Sequence, residues 1–270
     1  MPMNRHAKIA AIQMVSTPDP AENCRSAERL VAEAAQQGAE LVVLPEYWPV
    51  MGLLEDDKMA IAEPLNDGPL QQCMADMARR HGIWLVGGTL PLVSHEAGKV
   101  LNTTLVYNPA GERVQRYDKI HLFSFTKGEE TYNESRTITH GEEVSTFDAP
   151  FGKVGLSICY DLRFPELYRA MGECALIVVP AAFTHTTGAA HWEILLRARA
   201  IENQCYVLAA AQGGRHQNGR HTWGHSMLID PWGQMQSVLP EGEGVVLGTI
   251  ELDRIAQVRQ SLPALQHRTM

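Results

Sequence analysis

Short apolar runs alternate along the chain with longer stretches in which apolar residues recur every three or four positions. Runs of this kind read as strands buried on both faces, and the recurring stretches as helices with one buried face. Residues 9–15 are read as a strand and 21–37 as a helix stopped by Gly38. Residues 41–44 form a second strand ended by Pro45, followed by a helix over 69–81 and a strand over 83–87. A strand at 101–107 turns on Asn108, Pro109, Ala110 and Gly111 into a strand at 113–117. The alternation then resumes with a strand at 154–158, a helix over 165–171 and a strand at 175–179. A long helix over 189–203 carries Trp192, Leu195, Leu196 and Ile201 among its apolar positions and a Glu193–Arg197 pair at i,i+4. A strand at 205–211, a hairpin joining 226–229 to 234–238, a strand at 245–250 and a weakly helical tail at 254–262 complete the pattern. No Pro/Ser-rich linker or internal repeat divides it, so residues 7–267 are expected to form one α/β domain with mixed sheets.

Composition narrows the class of function. With 270 residues, 45% of them hydrophobic, the chain is long enough for a large core. A net charge of −8 and the lack of a basic stripe argue against a nucleic-acid partner. The five cysteines, at 24, 73, 159, 174 and 205, include no C-x-x-C, which removes the usual spacing of zinc ribbons and dithiol redox motifs. A reducing compartment is the natural setting for them. The polar first six residues lead into a run at 8–14 too short for a secretory core, and no stretch approaches a membrane span. The expectation is a soluble, cytoplasmic protein that does not engage membranes.

Three polar residues sit where buried strands end. Cys159 closes the apolar run 154–158, Glu46 follows the run 41–45, and Lys119 follows the strand 113–117 after Asp118. In α/β folds ligands gather at the carboxyl ends of strands. A thiol at a strand-to-helix turn is a possible nucleophile, because helix-start N–H groups favour the thiolate, but a single cysteine is also commonly a small buried hydrophobe. Glu46 and Lys119 have equally plain readings as solvated loop residues. Taken as a set they are chemically coherent: a carboxylate to take the thiol proton, an ammonium to hold negative charge on a carbonyl oxygen, and a sulfur to attack its carbon.

The segments Leu-Pro-Glu (44–46), Asp-Lys-Ile-His-Leu-Phe (118–123) and Gly-Leu-Ser-Ile-Cys-Tyr-Asp-Leu-Arg-Phe-Pro-Glu (155–166) resemble the three signature blocks of the carbon–nitrogen hydrolase (nitrilase) superfamily, in the family's order. The similarity extends from about residue 9 to 267. It implies an αββα sandwich, two mixed β-sheets flanked by helices, in protomers that associate through helices as a homodimer or higher homo-oligomer. It also implies a Glu46–Lys119–Cys159 triad, with Glu46 as general base and acid, Cys159 as nucleophile, and Lys119 with the Tyr160 N–H holding the oxyanion. The implied course is attack on an amide carbon, loss of ammonia, a thioester on Cys159 and its hydrolysis by water. Neither a metal nor an organic cofactor is implied. The family's second glutamate falls on Glu134 by the pattern Tyr-x-Glu-Ser, with Glu129 and Glu130 as neighbouring alternatives.

Cys-Tyr-Asp followed by Arg163-Phe164-Pro165-Glu166 differs from true nitrilases, which carry Cys-Trp-Glu, and from carbamoylases, with two arginines after the aspartate. It is similar to the nitrilase-like amidase branch, and residues 203–216 resemble its amidases of deaminated glutathione ahead of its ω-amidases of α-ketoglutaramate and α-ketosuccinamate. The resemblance therefore implies a small anionic α-keto amide as substrate. Arg163 is the nearest cation for it, with a salt bridge to Asp161 or Glu166 as the competing role, and Phe183, Thr184 and His191 are further pocket candidates. A Cys–His hydrolase, with His121 activating Cys159, is the alternative enzyme class, and a non-catalytic interaction protein the alternative outside enzymes.

Overall fold

The computed structural model describes residues 5–128 and 130–269. Two sheets carry it. The first runs in the order Gly244–Glu251, His6–Gln13, Leu41–Val43, Trp84–Val86, Val100–Tyr107, Leu90–Val93, with Arg113–Asp118 and Ile138–Thr139 also pairing with Val100–Tyr107. The second runs Thr146–Ala149, Gly152–Leu156, Leu176–Ala181, Tyr206–Ala211, Ser226–Ile229, Met235–Leu239. Both mix parallel with antiparallel pairs: His6–Gln13, Leu41–Val43 and Trp84–Val86 are parallel in one, and Gly152–Leu156, Leu176–Ala181 and Tyr206–Ala211 in the other.

Side-chain alternation assigns the layers. Along the first strand Ile9 and Ala11 face the second sheet, packing in one core with Val154, Leu156 and Val178. Ala10 and Ile12 face the opposite way, against Leu30 and Val31 of helix α1 (Pro20–Gln36) and Met74 and Met77 of α2 (Pro69–His81). A strand buried on both faces has no polar alternation to show, which is why it reads as a continuous apolar run. Behind the second sheet lie α3 (Pro165–Ala170) and α4 (His185–Asn203), and α5 (Leu252–Ser261) follows the last strand. The architecture is the αββα sandwich anticipated. Among the described residues no helix is long and apolar enough to cross a membrane.

The sheets are also joined by hydrogen bonds. Met14 bridges to Gln212: its N–H donates to the Ala211 carbonyl at 3.4 Å, and its carbonyl accepts from Gly213 at 2.9 Å. The Gln212 side chain adds bonds to the Ser16 hydroxyl at 2.7 Å and to the Glu46 carbonyl at 3.1 Å.

Several local expectations need correction. Helix α4 starts four residues before the expected 189, because the Thr184 hydroxyl caps it by accepting from the Thr187 N–H at 3.2 Å. Gly188 looks like a breaker but lies inside the helix, where a Cβ would stand 2.3 Å from Trp223. The segment after Lys119, for which no element was predicted, contains a hairpin of Ser124–Lys127 with Glu130–Asn133. A second hairpin, Gly213–Arg215 with His221–Trp223, and the strands Leu90–Val93 and Thr146–Ala149 were not anticipated.

Candidate active site

Glu46 leaves the first sheet just beyond Leu41–Val43 and is 1% exposed. Its backbone is held by a close approach: Gly88, at φ +54°, would place a Cβ 2.2 Å from the Pro45 carbonyl, so only glycine fits there. The next residue, Tyr47, adopts φ +55° and donates its N–H to Thr89 Oγ1 at 2.9 Å. The Glu46 carboxylate is fully engaged. Oε1 accepts from Lys119 Nζ at 2.8 Å and Asn102 Nδ2 at 2.9 Å. Oε2 accepts at 2.9 Å from the N–H of Ala182, which directly follows Leu176–Ala181 of the other sheet. The carboxylate thus ties together the carboxyl ends of strands from both layers.

Lys119 is wholly buried, with its N–H donating to the Asn102 carbonyl at 2.9 Å and its carbonyl accepting from Gly141 at 2.8 Å. Its ammonium lies between two carboxylates, 2.8 Å from Glu46 and 2.8 Å from Glu134. Burial alone would lower its proton affinity, but Glu134 and Glu46 outweigh it and hold the ammonium well above the usual lysine range. Glu134 shows the reverse balance. Burial opposes its ionisation, yet Lys119, a 2.7 Å bond from the Phe123 N–H and a 2.7 Å bond from the Tyr47 hydroxyl keep it below the usual carboxylate range. Glu130 does not take this place: it accepts from Thr186 Oγ1 at 2.9 Å, in the first turn of α4. Glu129 lies outside the described residues.

Cys159 sits three residues past the strand Gly152–Leu156, at φ +49°, a left-handed conformation rare for a side-chain-bearing residue. A 3₁₀ turn over Cys159–Arg163 follows, and α3 begins only at Pro165. Asp161 holds this elbow. Its buried carboxylate accepts from the Ile158 N–H at 2.9 Å, the Tyr117 hydroxyl at 2.7 Å and the His121 N–H at 3.0 Å, with His121 Nδ1 2.8 Å away. From α4, Arg199 clasps the Leu162 carbonyl at 2.8 and 3.1 Å. Burial, Glu46 and Glu134 push the thiol well above the usual thiol range against the pull of Lys119. The expectation of a thiolate favoured by helix-start amides meets an opposing environment here: desolvation and two carboxylates favour the protonated thiol.

The structure joins Glu46, Lys119 and Glu134 in one hydrogen-bonded cluster and sets Cys159 beside it, with Tyr160 next to the sulfur. Its N–H lies in the first turn of the 3₁₀ segment, where amides lack partners within the helix. A niche of about 10 Å³ at the sulfur is lined by Phe123, Tyr160, Arg163, Phe183 and Thr184 among others. On the Glu134 side opens a cavity of about 260 Å³, bordered by Tyr47, Phe123, Glu134, Lys58 and Arg220 among others. Space for roughly one water is about 10–15 Å³ on this measure, so the niche admits one small group and the cavity a larger one.

The anticipated Arg163 salt bridge to Asp161 or Glu166 is not formed. Asp161 is occupied elsewhere, and the guanidinium lies 5.7 Å from the Tyr160 ring and 5.4 Å from the Phe183 ring, with Nη1 3.3 Å from His191 Nδ1. His191 is exposed on α4 and is not among the residues lining the niche. His121 stacks on Phe164 with ring centroids 3.7 Å apart and is directed to Asp161, which leaves it a bracing role. Sequence reasoning missed Asn102, Asp161 in its bracing role, Tyr47, Lys58 and Arg220. Asp161 was visible inside the 155–166 block and Asn102 inside the strand read at 101–107, but nothing in the pattern marked the role of any of them.

This fold and this cluster define a hydrolase of carbon–nitrogen bonds. Residues 8–260 match the carbon-nitrogen hydrolase family, and the chain belongs to it. It is 44% identical to the deaminated glutathione amidase of Synechocystis sp. over 96% of this chain and 97% of that one. It is 40% identical to the omega-amidase NIT2 of Mus musculus over 97% and 94% of the two chains. The crystal structure of Saccharomyces cerevisiae Nit3, a member of branch 10 of the nitrilase superfamily, superposes with a TM-score of 0.88 at 30% identity, covering 100% of this chain and 99% of that one.

Proposed function

We propose that residues 7–267 act as one catalytic domain, an amidase for small α-keto acid amides in which Cys159 is the nucleophile. The observation that carries the reading is the buried Glu46 carboxylate, which accepts from the Lys119 ammonium at 2.8 Å and lies close enough to the Cys159 thiol to raise its proton affinity. As sulfur attacks the amide carbon, the thiol proton passes to Glu46 and the carbonyl π electrons move to oxygen. Lys119 and the Tyr160 N–H hold that oxyanion. The tetrahedral adduct collapses with cleavage of the C–N bond, and protonated Glu46 gives its proton to the departing nitrogen. Water then attacks the thioester, Glu46 takes its proton, and the C–S bond breaks as the sulfur is reprotonated. Glu134 anchors the Lys119 ammonium and orients the amide. Glu46 begins and ends each half-reaction in one state, so no metal or organic cofactor enters the scheme.

Deaminated glutathione is the favoured substrate, supported by relatives of that name at 40–44% identity over almost the whole chain. Its scissile bond joins an α-keto diacyl group to cysteinylglycine, so the leaving group there is the dipeptide. Loss of ammonia applies to the primary amides of an ω-amidase, the second reading, which the mouse relative favours. Such a role would make the protein a metabolite-repair enzyme, and its five free thiols suit the reducing cytoplasm. For assembly, α4 turns Ile194 (70% exposed) and Ile201 (48%) outward, and Trp232 (56%) is exposed on the turn after Ser226–Ile229. We expect a homodimer or higher homo-oligomer through this side, to be read by light scattering.

The chemistry is tested by Cys159→Ser. Loss of turnover on both amides, with an unchanged fold by circular dichroism, is expected. Wild-type product release from the variant would overturn it. The substrate is tested by kcat/KM for deaminated glutathione against α-ketoglutaramate, and a clear preference for the second would move the assignment to ω-amidase.

A further inference from the structure

The 260 Å³ cavity carries two cations that the reaction scheme does not use. Lys58 stands on a 3₁₀ turn, Glu55–Ile61, its ammonium 5.9 Å from the centre of the Tyr47 ring and donating to Thr137 Oγ1 at 2.9 Å. Arg220 lies in the loop before His221–Trp223, its guanidinium 5.2 Å from the Tyr132 ring, with a weak 3.7 Å contact to Met51 Sδ. Among the described residues neither is within ion-pair distance of an acid. The acids bordering the cavity are Glu134, committed to Lys119, and Glu55, which is exposed. Arg220 is also held in place: the Asn218 amide ties its loop to the Gly52 carbonyl at 2.7 Å, and Asn218 Oδ1 accepts from the Arg220 N–H at 3.0 Å.

The side of the scissile bond that this cavity serves follows from the cluster. The carbonyl carbon must meet sulfur, and its oxygen Lys119 and the Tyr160 N–H. The departing nitrogen must meet the glutamates. Cys159 and Tyr160 line the small niche, whereas Glu134 and Tyr47 line the large cavity. The leaving group therefore extends into the large cavity, toward Lys58 and Arg220. Resting on the amidase reading, we infer that Lys58 and Arg220 form a subsite for a carboxylate on the leaving-group half of the substrate, selecting amides whose amine portion is an acidic peptide over primary amides. Arg163, in the niche beside the sulfur, serves the acyl half, which both substrate classes share.

The test pairs a change in the enzyme with a change in the substrate. On wild type, replacing the terminal carboxylate of 2-oxoglutaryl-cysteinylglycine by a carboxamide is expected to lower kcat/KM by about 10- to 100-fold, the range for a lost charge-assisted contact. The double variant Lys58→Gln/Arg220→Gln is expected to lose a similar factor on the carboxylate form and to distinguish the two forms by less than about twofold, the signature of direct coupling. Its loss on α-ketoglutaramate, which has no leaving-group carboxylate, is at least about tenfold smaller. The same forms are titrated calorimetrically into Cys159→Ala protein, with and without the two substitutions, so that binding is read apart from turnover. If the double variant still discriminates carboxylate from carboxamide as wild type does, the carboxylate binds elsewhere and the subsite is refuted. If wild type cleaves neither amide but the binding difference depends on Lys58 and Arg220, the subsite stands and the amidase reading falls.

Discussion

Replacing Lys119 with methionine is the most direct test of what holds the cluster together. The substitution keeps most of the side-chain volume and removes the one ammonium that is 2.8 Å from both Glu46 and Glu134. Glu46 is 1% exposed, so water cannot replace the cation there, and Glu134, 14% exposed on the cavity side, regains only part of what it loses. Removing one partner of a buried ion pair typically costs about 3–5 kcal/mol. For a chain of this size that corresponds to a fall in Tm on the order of 10 °C. The sign with pH is specific. In the wild type Glu134 is held low, so its contribution is full above the unfolded glutamate pKa and is lost as pH falls through the folded value. Without Lys119 the burial that opposes its ionisation prevails, the folded state binds the proton more tightly than the unfolded chain, and the variant gains stability on acidification. The gap from wild type should therefore narrow between pH 7.5 and 5.5. Urea unfolding at fixed protein concentration at the two pH values measures it. Adding Glu134→Gln to Lys119→Met should recover about 1–3 kcal/mol at pH 7.5 by removing one unpaired buried charge. A Lys119→Met protein within 1 kcal/mol of wild type at pH 7.5, or a gap that does not shrink at 5.5, would refute this electrostatic account.

Asp161→Ala takes the acceptor from the buried Ile158 amide, the half-buried His121 amide, a tyrosine hydroxyl and the His121 ring, at a cost of about 3 kcal/mol. As a positioning residue Asp161 should affect kcat more than KM, and a folded variant with wild-type kcat would remove it from the elbow's support. Gly188→Ala should destabilise by about 1–3 kcal/mol through contact with Trp223, although alanine gains about 1 kcal/mol of helix propensity; a raised Tm would contradict the packing argument. Burial, opposed by its bond to the Ser16 carbonyl, depresses His216 to about 4. The unfolded chain takes up that proton below about 6.5, so stability is full above 6.5 and falls by up to roughly 3 kcal/mol toward pH 4. His216→Gln should flatten this slope in urea titrations, and an unchanged slope would assign it to other groups.

The central strands were legible because a strand covered on both faces has no polar positions, and runs such as 41–44 and 205–211 have none. Helix α2 was legible to the residue, with Pro69 at its start and Gly82 at its left-handed end. The hairpins near the site were not, since Phe125, Thr131 and Tyr132 alternate too briefly to stand out from a polar loop. The start of α4 was hidden because Gly188 serves contact with Trp223 rather than helix formation. In the site, Glu46, Lys119 and Cys159 were marked by strand ends and motif. Asn102 was not, because its amide reaches Glu46 from within a strand that reads as ordinary core. Lys58 and Arg220 were invisible for a different reason: only folding brings positions 58 and 220 to one cavity.

The Met14–Gln212 seam gives the sandwich a fixed end. Apolar layers in contact can shear past one another at little cost in directionality, but a backbone bridge between them cannot slip without losing its bonds. Gln212, which takes part in the bridge, also holds the carbonyl of Glu46, so a register slip between the layers would carry the carboxylate away from the elbow that bears Cys159. Opening motions that admit substrate should then swing the outer hairpins while the seam stays shut. In hydrogen exchange, the amides of Met14 and Gly213 should rank with the most protected of the molecule, although Met14 lies past the end of its strand and Gly213 opens a short one, where protection ordinarily frays.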